Sequence, residues 1–394
     1  MDYDWNIQNT PKSFAGIVDE TIRDGLQNVS LEKVTLYDKQ QILQYMTNID
    51  VIKETIIGMS GISYDIDQEI DNLLNGIDIK KLFPWVLTRY ILSDLKKAKK
   101  YGNRAGANIF CCFSESRMHA EEWSYKVKIK ELREAIKFCK DYFPKVRIGI
   151  EDATRTTPKT LEAIIHIASE LGVDRIAIAD TVGVTTTSGV IKIISFIKSI
   201  IKDSKISIEW HGHNDRGLAV SNALESIYCG VEYVHGTMMG IGERNGNTAI
   251  DTLLFNLPEV FCNAAQIEII KEYYSYVQKL SPNFYISSYP FLGDNTGKSM
   301  TGTHCAAMYK AFKKGETNLA KRLFAWDSNI IKQRSLKDMI CLSKYSGRNT
   351  IKLLLELNHI EYNNELLELI LSHIKKSDNI YDKNSIIKLV KQCE

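Results

Sequence analysis

Two histidines separated by a single residue are the positions in this chain best suited to chemistry. His211 and His213 follow a run of β-type residues, 206–210. Side chains two positions apart on a strand point to the same face, so both imidazoles can be aimed at one point. Imidazole nitrogens are frequent ligands of divalent metals, and the pair predicts part of a metal site. Taken alone, the motif also fits two unrelated histidines near the end of a strand.

The elements that would position these histidines alternate regularly. Eight β-like runs, mostly rich in Val, Ile, Phe or Tyr, occupy the first 240 residues, as expected of strands buried on both faces. They are Gly16–Ile22, Val51–Ile57, Leu82–Thr88, Ala107–Phe113, Val146–Asp152, Arg175–Thr181, Ile206–His211 and Val231–Met238. Helical patterns lie between them at Tyr37–Met46, Ser116–Phe143, Pro158–Leu171, Thr187–Ile201 and Leu218–Tyr228. This alternation predicts an α/β fold, a TIM (β/α)₈ barrel. An open doubly wound sheet would normally have a Gly-rich phosphate turn after its first strand.

The remainder of the chain has a different pattern. Residues 276–300 are rich in Ser, Pro, Asn and Gly, which is typical of turns and linkers. Helical patterns follow at Gly302–Lys314, Glu316–Phe324, Gly347–Leu357 and Glu365–Lys375. We therefore predict a catalytic barrel over residues 1–275, a linker over 276–300 and a small, mostly helical C-terminal region over 301–394.

Composition narrows the class of protein. Hydrophobic residues make up 44% and charged residues 25%, with a net charge of +2 and no long basic stripe. Binding to nucleic acid or to a membrane surface therefore has no electrostatic support. The polar N-terminus predicts no signal peptide, and no uncharged stretch has the length of a membrane span. The eight cysteines include no C-x-x-C pair, which is typical of reduced thiols in a cytoplasmic protein.

Polar residues collect where the predicted strands end. In a (β/α)₈ barrel the chemistry lies at the C-terminal ends of the strands. The residues near those ends are Arg23, Asp24, Arg89, Ser114, Glu115, Glu151, Asp152, Asp180, Thr181, His211, His213 and Asn247, and Glu54 lies within strand two. Carboxylate, imidazole and amide groups on one rim predict a site for Mg²⁺, Mn²⁺ or Zn²⁺ with open coordination positions. Because every barrel rim faces water, a polar rim without a site explains one or two of these residues, but not the whole series.

The order of the motifs resembles the DRE-TIM metallolyases, and within them the 2-isopropylmalate, homocitrate and citramalate synthases. The motifs are Arg23-Asp24-Gly25 with Gln27, Glu151-Asp152 followed by Arg155-Thr156, Asp180–Gly183, His211–Asp215 and Gly240–Asn247, with weaker matches at Thr301–His304 and Lys344–Arg348. The resemblance implies a metal-dependent Claisen condensation of acetyl-CoA with a 2-oxo acid. Hydrolysis of the thioester would then give a 2-alkylmalate-type product and CoA.

The resemblance also implies residue roles. The metal ligands would be Asp24, His211, His213 and Asn247. Arg23 would stabilise the developing oxyanion, and Glu151 would order the arginine and the reacting groups. Thr181 would hydrogen-bond the substrate carboxylate, with Arg89 as a further substrate-binding candidate. His304 would form part of the base that deprotonates the acetyl methyl group, and it would reach the barrel of a second subunit. A domain-swapped homodimer is therefore expected.

Simpler structural roles remain open for several of these residues. Arg23 and Asp24 together suit a structural ion pair, Asn247 suits a turn cap, and His304 suits a capping or surface position. Glu54 has a possible role as a buried partner of Arg23 or Arg89.

The pattern departs from the synthases at several positions. Strand two, Glu54–Met59, lacks the usual Gly-Phe-Pro, and Tyr345 stands where many homocitrate-type synthases have His. Leu26-Gln27 and Phe113–Ser116 are similar to the hydroxymethylglutaryl-CoA lyases, whereas Gly240–Asn247 has the synthase form. Condensation is therefore favoured, with lyase-type cleavage and a catalytically silent barrel scaffold as alternatives. The sequence leaves the 2-oxo acid and the metal open.

Overall fold

Eight parallel strands close into a barrel in chain order, which confirms the predicted TIM barrel. The computed structural model describes residues 11, 13–31, 33–202, 204–257, 260–261, 263–284, 286–316 and 335–393. The strands are β1 (Gly16–Asp19), β2 (Ile52–Met59), β3 (Phe83–Arg89), β4 (Gly106–Cys112), β5 (Val146–Glu151), β6 (Arg175–Asp180), β7 (Ser207–Gly212) and β8 (Tyr233–Gly236). The barrel closes between β1 and β8, where Ile17 pairs with Val234.

Helices follow the strands around the barrel. They are α1 (Leu36–Thr47), α2 (Tyr64–Asn75), α3 (Leu92–Ala98), α4 (Glu115–Ala120), α5 (Tyr125–Tyr142), α6 (Pro158–Glu170), α7 (Thr187–Ile200), α8 (Ala219–Tyr228), α9 (Ile250–Phe255) and α10 (Ala264–Leu280). The sequence did not predict α2, α3, α9 or α10. The single helix predicted over Ser116–Phe143 is in fact two helices, because the chain turns between them at Glu122, which has a φ of 52°.

Alternation along each strand separates residues that face the barrel interior from residues that face the helices. In β4, Asn108 and Phe110 line an interior cavity, whereas Ala107, Ile109 and Cys111 are fully buried. The same strand therefore supplies both core packing and the wall of a site.

A buried cluster of charged side chains occupies the barrel interior. Glu54 accepts hydrogen bonds from Arg147 (3.0 Å) and from both terminal nitrogens of Arg175 (2.5 and 2.7 Å). Glu209 pairs with Arg147 Nε at 2.5 Å and with Arg175 at 2.8 Å. The Trp85 indole also donates to Glu54, at 2.6 Å. Glu54 thus pairs with Arg147 and Arg175, and not with the Arg23 or Arg89 considered from the sequence.

The chain divides into two compact units, residues 1–285 and 286–394. The second contains α11 (Gly302–Lys313), α12 (Arg348–Leu357), α13 (Asn364–Lys375) and α14 (Ile386–Cys393), which confirms a mostly helical C-terminal region. Its apolar core includes Met308, Leu354, Ile370, Ile374 and Leu389. Most of the helix predicted over Glu316–Phe324 lies outside the described residues. None of the described helices combines the length and apolar character that a bilayer crossing requires.

Candidate active site and metal centre

Three side chains converge at the C-terminal ends of β1 and β7. The Nε2 atoms of His211 and His213 lie 3.2 Å apart. Asp24 follows β1 and places its Oδ2 3.3 Å from His211 Nε2 and 3.7 Å from His213 Nε2. These three atoms lie within 4.8 Å of one another, a separation that suits ligands of one ion. The structure thus brings together three of the four predicted metal ligands.

The protonation states of this trio suit a divalent cation. Burial lowers the pKa of His211 to about 3 and that of His213 to about 4, so both rings are neutral near pH 7. Burial raises the pKa of Asp24, but nearby positive charge, chiefly that of Arg23, outweighs this effect and holds it below its ordinary value. Two neutral imidazoles and one carboxylate are ligands that Mn²⁺ and Zn²⁺ accept.

Glu20, a residue that the sequence analysis did not single out, connects the trio to Arg23. His211 Nδ1–H donates to Glu20 Oε1 at 3.0 Å, which leaves the Nε2 lone pair facing Asp24 and His213. Glu20 is 1% exposed and also forms an ion pair with Arg23. His235 Nδ1 lies 2.5 Å from the same Glu20 oxygen. Glu20 therefore fixes the orientation of both a candidate ligand and a candidate catalytic group.

His235 continues this connection into the barrel interior. Its Nε2 lies 2.9 Å from Glu209 Oε2, and Glu209 belongs to the buried charged cluster. Sequence reasoning missed Glu20 and His235 because neither belongs to a short motif. The signal that could have identified them is their position, because Glu20 follows β1 and His235 lies within β8, the two strands that close the barrel.

Arg23 is held by two carboxylates but keeps one donor available. Its terminal nitrogen lies 3.3 Å from Asp24 Oδ2, and it pairs with Glu20. Its Nε is buried and has no hydrogen-bond partner among the described residues. Since Arg23 lines the cavity beside the trio, this arrangement suits a group that donates to a bound anion.

Thr181 and Glu151 line the same cavity. The Thr181 hydroxyl oxygen accepts a hydrogen bond from the Asp152 backbone N–H at 2.8 Å, and its own proton has no acceptor among the described residues. Burial raises the pKa of Glu151 above its ordinary value. A hydroxyl donor and a partly buried carboxyl therefore lie at the C-terminal ends of β5 and β6.

Asn247 lies next to His213 through a backbone bridge. Its Nδ2 donates to Ile241 O at 3.2 Å, and its Oδ1 is buried with no hydrogen-bond partner in the part of the chain that the structure describes. A buried acceptor without a donor suits coordination to a cation. Gly242 leaves room for this side chain, since a Cβ there would lie 2.0 Å from Asn247 Nδ2. The role of Asn247 as a fourth ligand stays a prediction.

Two predicted site residues lie elsewhere. Arg89 donates through Nε to Asp94 Oδ2 at 2.6 Å and is not among the residues that line the cavity. His304 lies in the first turn of α11, within the second compact unit. Their roles in substrate binding and proton removal stay predictions.

The cavity has a volume of about 260 Å³ and is lined by two groups of residues. The polar group consists of Glu20, Arg23, Asp24, Gln27, Asn108, Glu151, Thr181, His211, His213, His235 and Glu243. The other group consists of Ile56, Met59, Leu87, Phe110, Gly149, Ala177 and Ala179. Apart from Asn108, the strands β2, β3 and β4 supply only apolar residues, so a ligand held at the ends of β1 and β7 would extend its remaining atoms against a largely apolar wall.

The fold and this site define a (β/α)₈ barrel with a candidate metal centre at the C-terminal ends of its strands. The chain belongs to the family described as HMGL-like, whose model matches residues 15–267. This membership, together with the relatives, confirms the resemblance to the DRE-TIM metallolyases.

Two curated relatives cover most of the chain. The 2-isopropylmalate synthase of Saccharolobus solfataricus is 28% identical over 384 residues, covering 91% of this chain and 90% of the relative. The homocitrate synthase of Pyrococcus abyssi is 26% identical over 345 residues, covering 86% and 89%. Among solved structures, hydroxymethylglutaryl-CoA lyase from Pseudomonas aeruginosa superposes with a TM-score of 0.59 at 17% identity, covering 69% of this chain and 94% of that one. This last likeness concerns the fold alone.

Proposed function

We propose that the protein condenses acetyl-CoA with a 2-oxo acid and hydrolyses the thioester, releasing CoA and a 2-alkylmalate-type product. The observation that carries the proposal is the convergence of Asp24, His211 and His213 in a cavity that also contains Arg23 and Thr181. Relatives named as 2-isopropylmalate and homocitrate synthases support the same class of reaction.

The candidate ligands favour a substrate that can chelate. A divalent ion held by Asp24, His211, His213 and Asn247 would supply a Lewis acid for the adjacent carboxylate and ketone oxygens of a 2-oxo acid. The protein itself supplies neutral imidazoles, an ionised carboxylate and a buried amide oxygen at this point. The substrate carboxylate would lie within reach of the proton that the Thr181 hydroxyl has available.

Arg23 would stabilise the negative charge that develops on the ketone oxygen. Its buried Nε has no hydrogen-bond partner among the described residues, and its orientation is set by the carboxylates of Glu20 and Asp24. A donor fixed before the reaction needs no reorganisation as the charge develops, which is the main advantage of a preorganised site. Glu151 would order the arginine and the reacting groups, and His304 would form part of the base for the acetyl methyl group.

The direct test is thiol release from acetyl-CoA. Purified protein is supplied in turn with Mg²⁺, Mn²⁺ or Zn²⁺ and with 2-oxoisovalerate, 2-oxoglutarate, pyruvate or glyoxylate. We expect CoA to be released with at least one 2-oxo acid, only in the presence of metal. Absence of release across the complete panel would overturn the proposal.

A second candidate is cleavage of a 3-hydroxy-3-methylglutaryl-CoA-like thioester. It is favoured by Gln27, which lines the cavity and belongs to the lyase-like Leu26-Gln27 pair. Retro-aldol cleavage would use the same ligands in reverse and would form acetoacetate from 3-hydroxy-3-methylglutaryl-CoA. Production of acetoacetate without any acetyl-CoA condensation would select this candidate.

A further inference from the structure

We infer that the 2-oxo acid bound here carries an uncharged side chain, and that Asn108 detects a hydroxyl group on it. This inference rests on the proposed condensation and narrows its substrate class. It follows from the composition of the cavity wall opposite the candidate metal ligands.

The position of the metal ligands determines which wall faces the substrate side chain. A 2-oxo acid that chelates a metal ion held by Asp24 and His211 would direct its remaining atoms away from these two residues, toward β2, β3 and β4. The cavity of about 260 Å³ is smaller than the roughly 300–1,000 Å³ of pockets that enclose drug-sized ligands. The bulk of CoA must therefore stay outside, and the inner wall contacts the oxo acid.

That inner wall is apolar and has no cation of its own. Ile56, Met59, Leu87 and Phe110 come from the three adjacent strands. Within the described chain, Arg23 is the only arginine or lysine that lines the cavity, and it already pairs with Glu20. A second substrate carboxylate would therefore lose its hydration without gaining an ion pair.

Two acidic residues add to this penalty. Glu151 and Glu243 line the same cavity, and each would repel an additional carboxylate on the substrate. Dicarboxylic oxo acids should therefore bind poorly, whereas acids with short alkyl side chains match the wall. Discrimination of about 10²-fold or more in kcat/KM is reasonable for a site that cannot solvate a charged group.

Asn108 is the polar exception in this wall. It is 4% exposed, and its Oδ1 is buried with no hydrogen-bond partner among the described residues. The space above Gly149, which lines the cavity, adjoins this oxygen, since a Cβ added there would contact it at 3.5 Å. A buried acceptor without a partner gains a hydrogen bond from a substrate O–H. Asn108 should therefore favour a hydroxylated side chain over its alkyl isostere.

The test compares substrates matched in size. We measure kcat/KM for 2-oxobutyrate, its hydroxyl isostere 3-hydroxypyruvate, 2-oxoisovalerate and 2-oxoglutarate. Binding of each acid to Mn²⁺-loaded protein is measured separately as a rise in Tm. We expect 2-oxoglutarate to be at least about 10²-fold poorer than the best alkyl acid. If the protein used or bound 2-oxoglutarate as well as the alkyl acids, or better, the inference would be overturned. The proposed condensation would still stand.

Failure of the proposed condensation can be distinguished from failure of this inference. If no acid released CoA, the condensation would be wrong, and the Tm measurements would still decide which side chains the pocket accepts. Preferential stabilisation by 2-oxoglutarate there would refute a pocket for uncharged side chains, whereas stabilisation by the acids with uncharged side chains, 3-hydroxypyruvate included, would support it.

Variants with matched controls test which wall residues contact the substrate side chain. Asn108→Leu should lower the ratio of kcat/KM for 3-hydroxypyruvate over 2-oxobutyrate by about 10-fold, whereas Asn108→Asp keeps an acceptor and should preserve the ratio. Met59→Arg should raise the ratio for 2-oxoglutarate over 2-oxoisovalerate by about 10-fold relative to Met59→Gln, which has a similar length without the charge. Unchanged ratios in both pairs would place the substrate side chain elsewhere.

Discussion

Arg23 and the metal trio share a carboxylate but have separable roles. Asp24 Oδ2 lies 3.3 Å from both the Arg23 terminal nitrogen and His211 Nε2. The arginine is not itself a ligand; its side chain lines the cavity, and its Nε has no hydrogen-bond partner among the described residues. Removal of its guanidinium should therefore affect the reaction more than the affinity for metal.

Arg23→Ala is predicted to retain bound metal and to lower turnover by about 10²-fold or more, because it removes a donor aimed at developing charge. The measurement is kcat for thiol release together with metal content per chain. Loss of metal with a normal turnover after metal is added back would contradict the role given to Arg23.

Sequence reasoning located most of the candidate site at the residue scale. Period-two spacing paired His211 with His213, and the rule for strand ends placed Asp24, Glu151 and Thr181 around one cavity. Glu20, His235 and Asn108 were missed because their importance depends on contacts across the barrel. Such contacts follow from the register of closure and do not appear in any local motif.

At the scale of elements, Asp19 joins the end of β1 to α10. Its Oδ1 accepts from the Thr21 backbone N–H at 2.8 Å, and its Oδ2 accepts from the Tyr273 hydroxyl at 3.0 Å. Asp19 is fully buried, and burial raises its pKa from 3.8 to about 6 despite these hydrogen bonds. The folded protein therefore binds a proton at Asp19 more tightly than the unfolded chain does.

This shift predicts a pH dependence of stability. The contribution of protonated Asp19 is fully present below about pH 4 and is lost as pH rises through about 6. Asp19→Asn has no such titration, so its free energy of unfolding relative to wild type should rise by about 3 kcal/mol between pH 4 and pH 8. Urea unfolding across this range measures the difference. Parallel pH profiles for the two proteins would refute the assignment.

The buried charges of β2, β5, β6 and β7 form one interdependent cluster. Glu54 is 3% exposed and pairs with both Arg147 and Arg175. Removing one charge from such a cluster leaves its partners buried without compensation.

Glu54→Gln should therefore lower the free energy of unfolding by about 3–5 kcal/mol. The control is Glu134→Gln, at an exposed carboxylate 3.8 Å from Lys130, for which we expect about 0.5 kcal/mol or less. Urea midpoints of both variants are compared with wild type. Equal shifts for the two variants would mean that the interior cluster is not coupled as its geometry indicates.

Element boundaries were harder to predict than the barrel itself. The eight strands are apolar and easily recognised, whereas α3 has seven residues and α9 has six, too few to establish a helical period. The division between α4 and α5 depends on the left-handed conformation of Glu122, which residue type does not indicate. α10 ends at Leu280, within the stretch predicted as linker.

At the scale of the whole molecule, the metal ligands belong to one compact unit and His304 belongs to the other. We propose that the linker over 276–300 lets the C-terminal region reach a second subunit, which would complete the site of a homodimer.

Mixed dimers test this arrangement. His304→Ala and His213→Ala are each expected to be inactive. Subunit exchange between them should restore part of the activity, because one site in each heterodimer would have both an intact metal centre and an intact His304. A fully active monomer, or no rescue after demonstrated subunit exchange, would contradict the swapped assembly.

The central claim is that Asp24, His211 and His213 hold a catalytic metal, and metal content per chain tests it most directly. Wild type and His213→Ala are stripped with chelator, reloaded with Mn²⁺ and analysed for bound metal and thiol release. The control is His166→Ala, whose imidazole is 64% exposed on α6. We predict about one ion per chain and full activity for wild type and the control, with both lost together in His213→Ala. Wild-type protein that takes up no divalent metal, or His213→Ala that binds it equally well, would contradict the account.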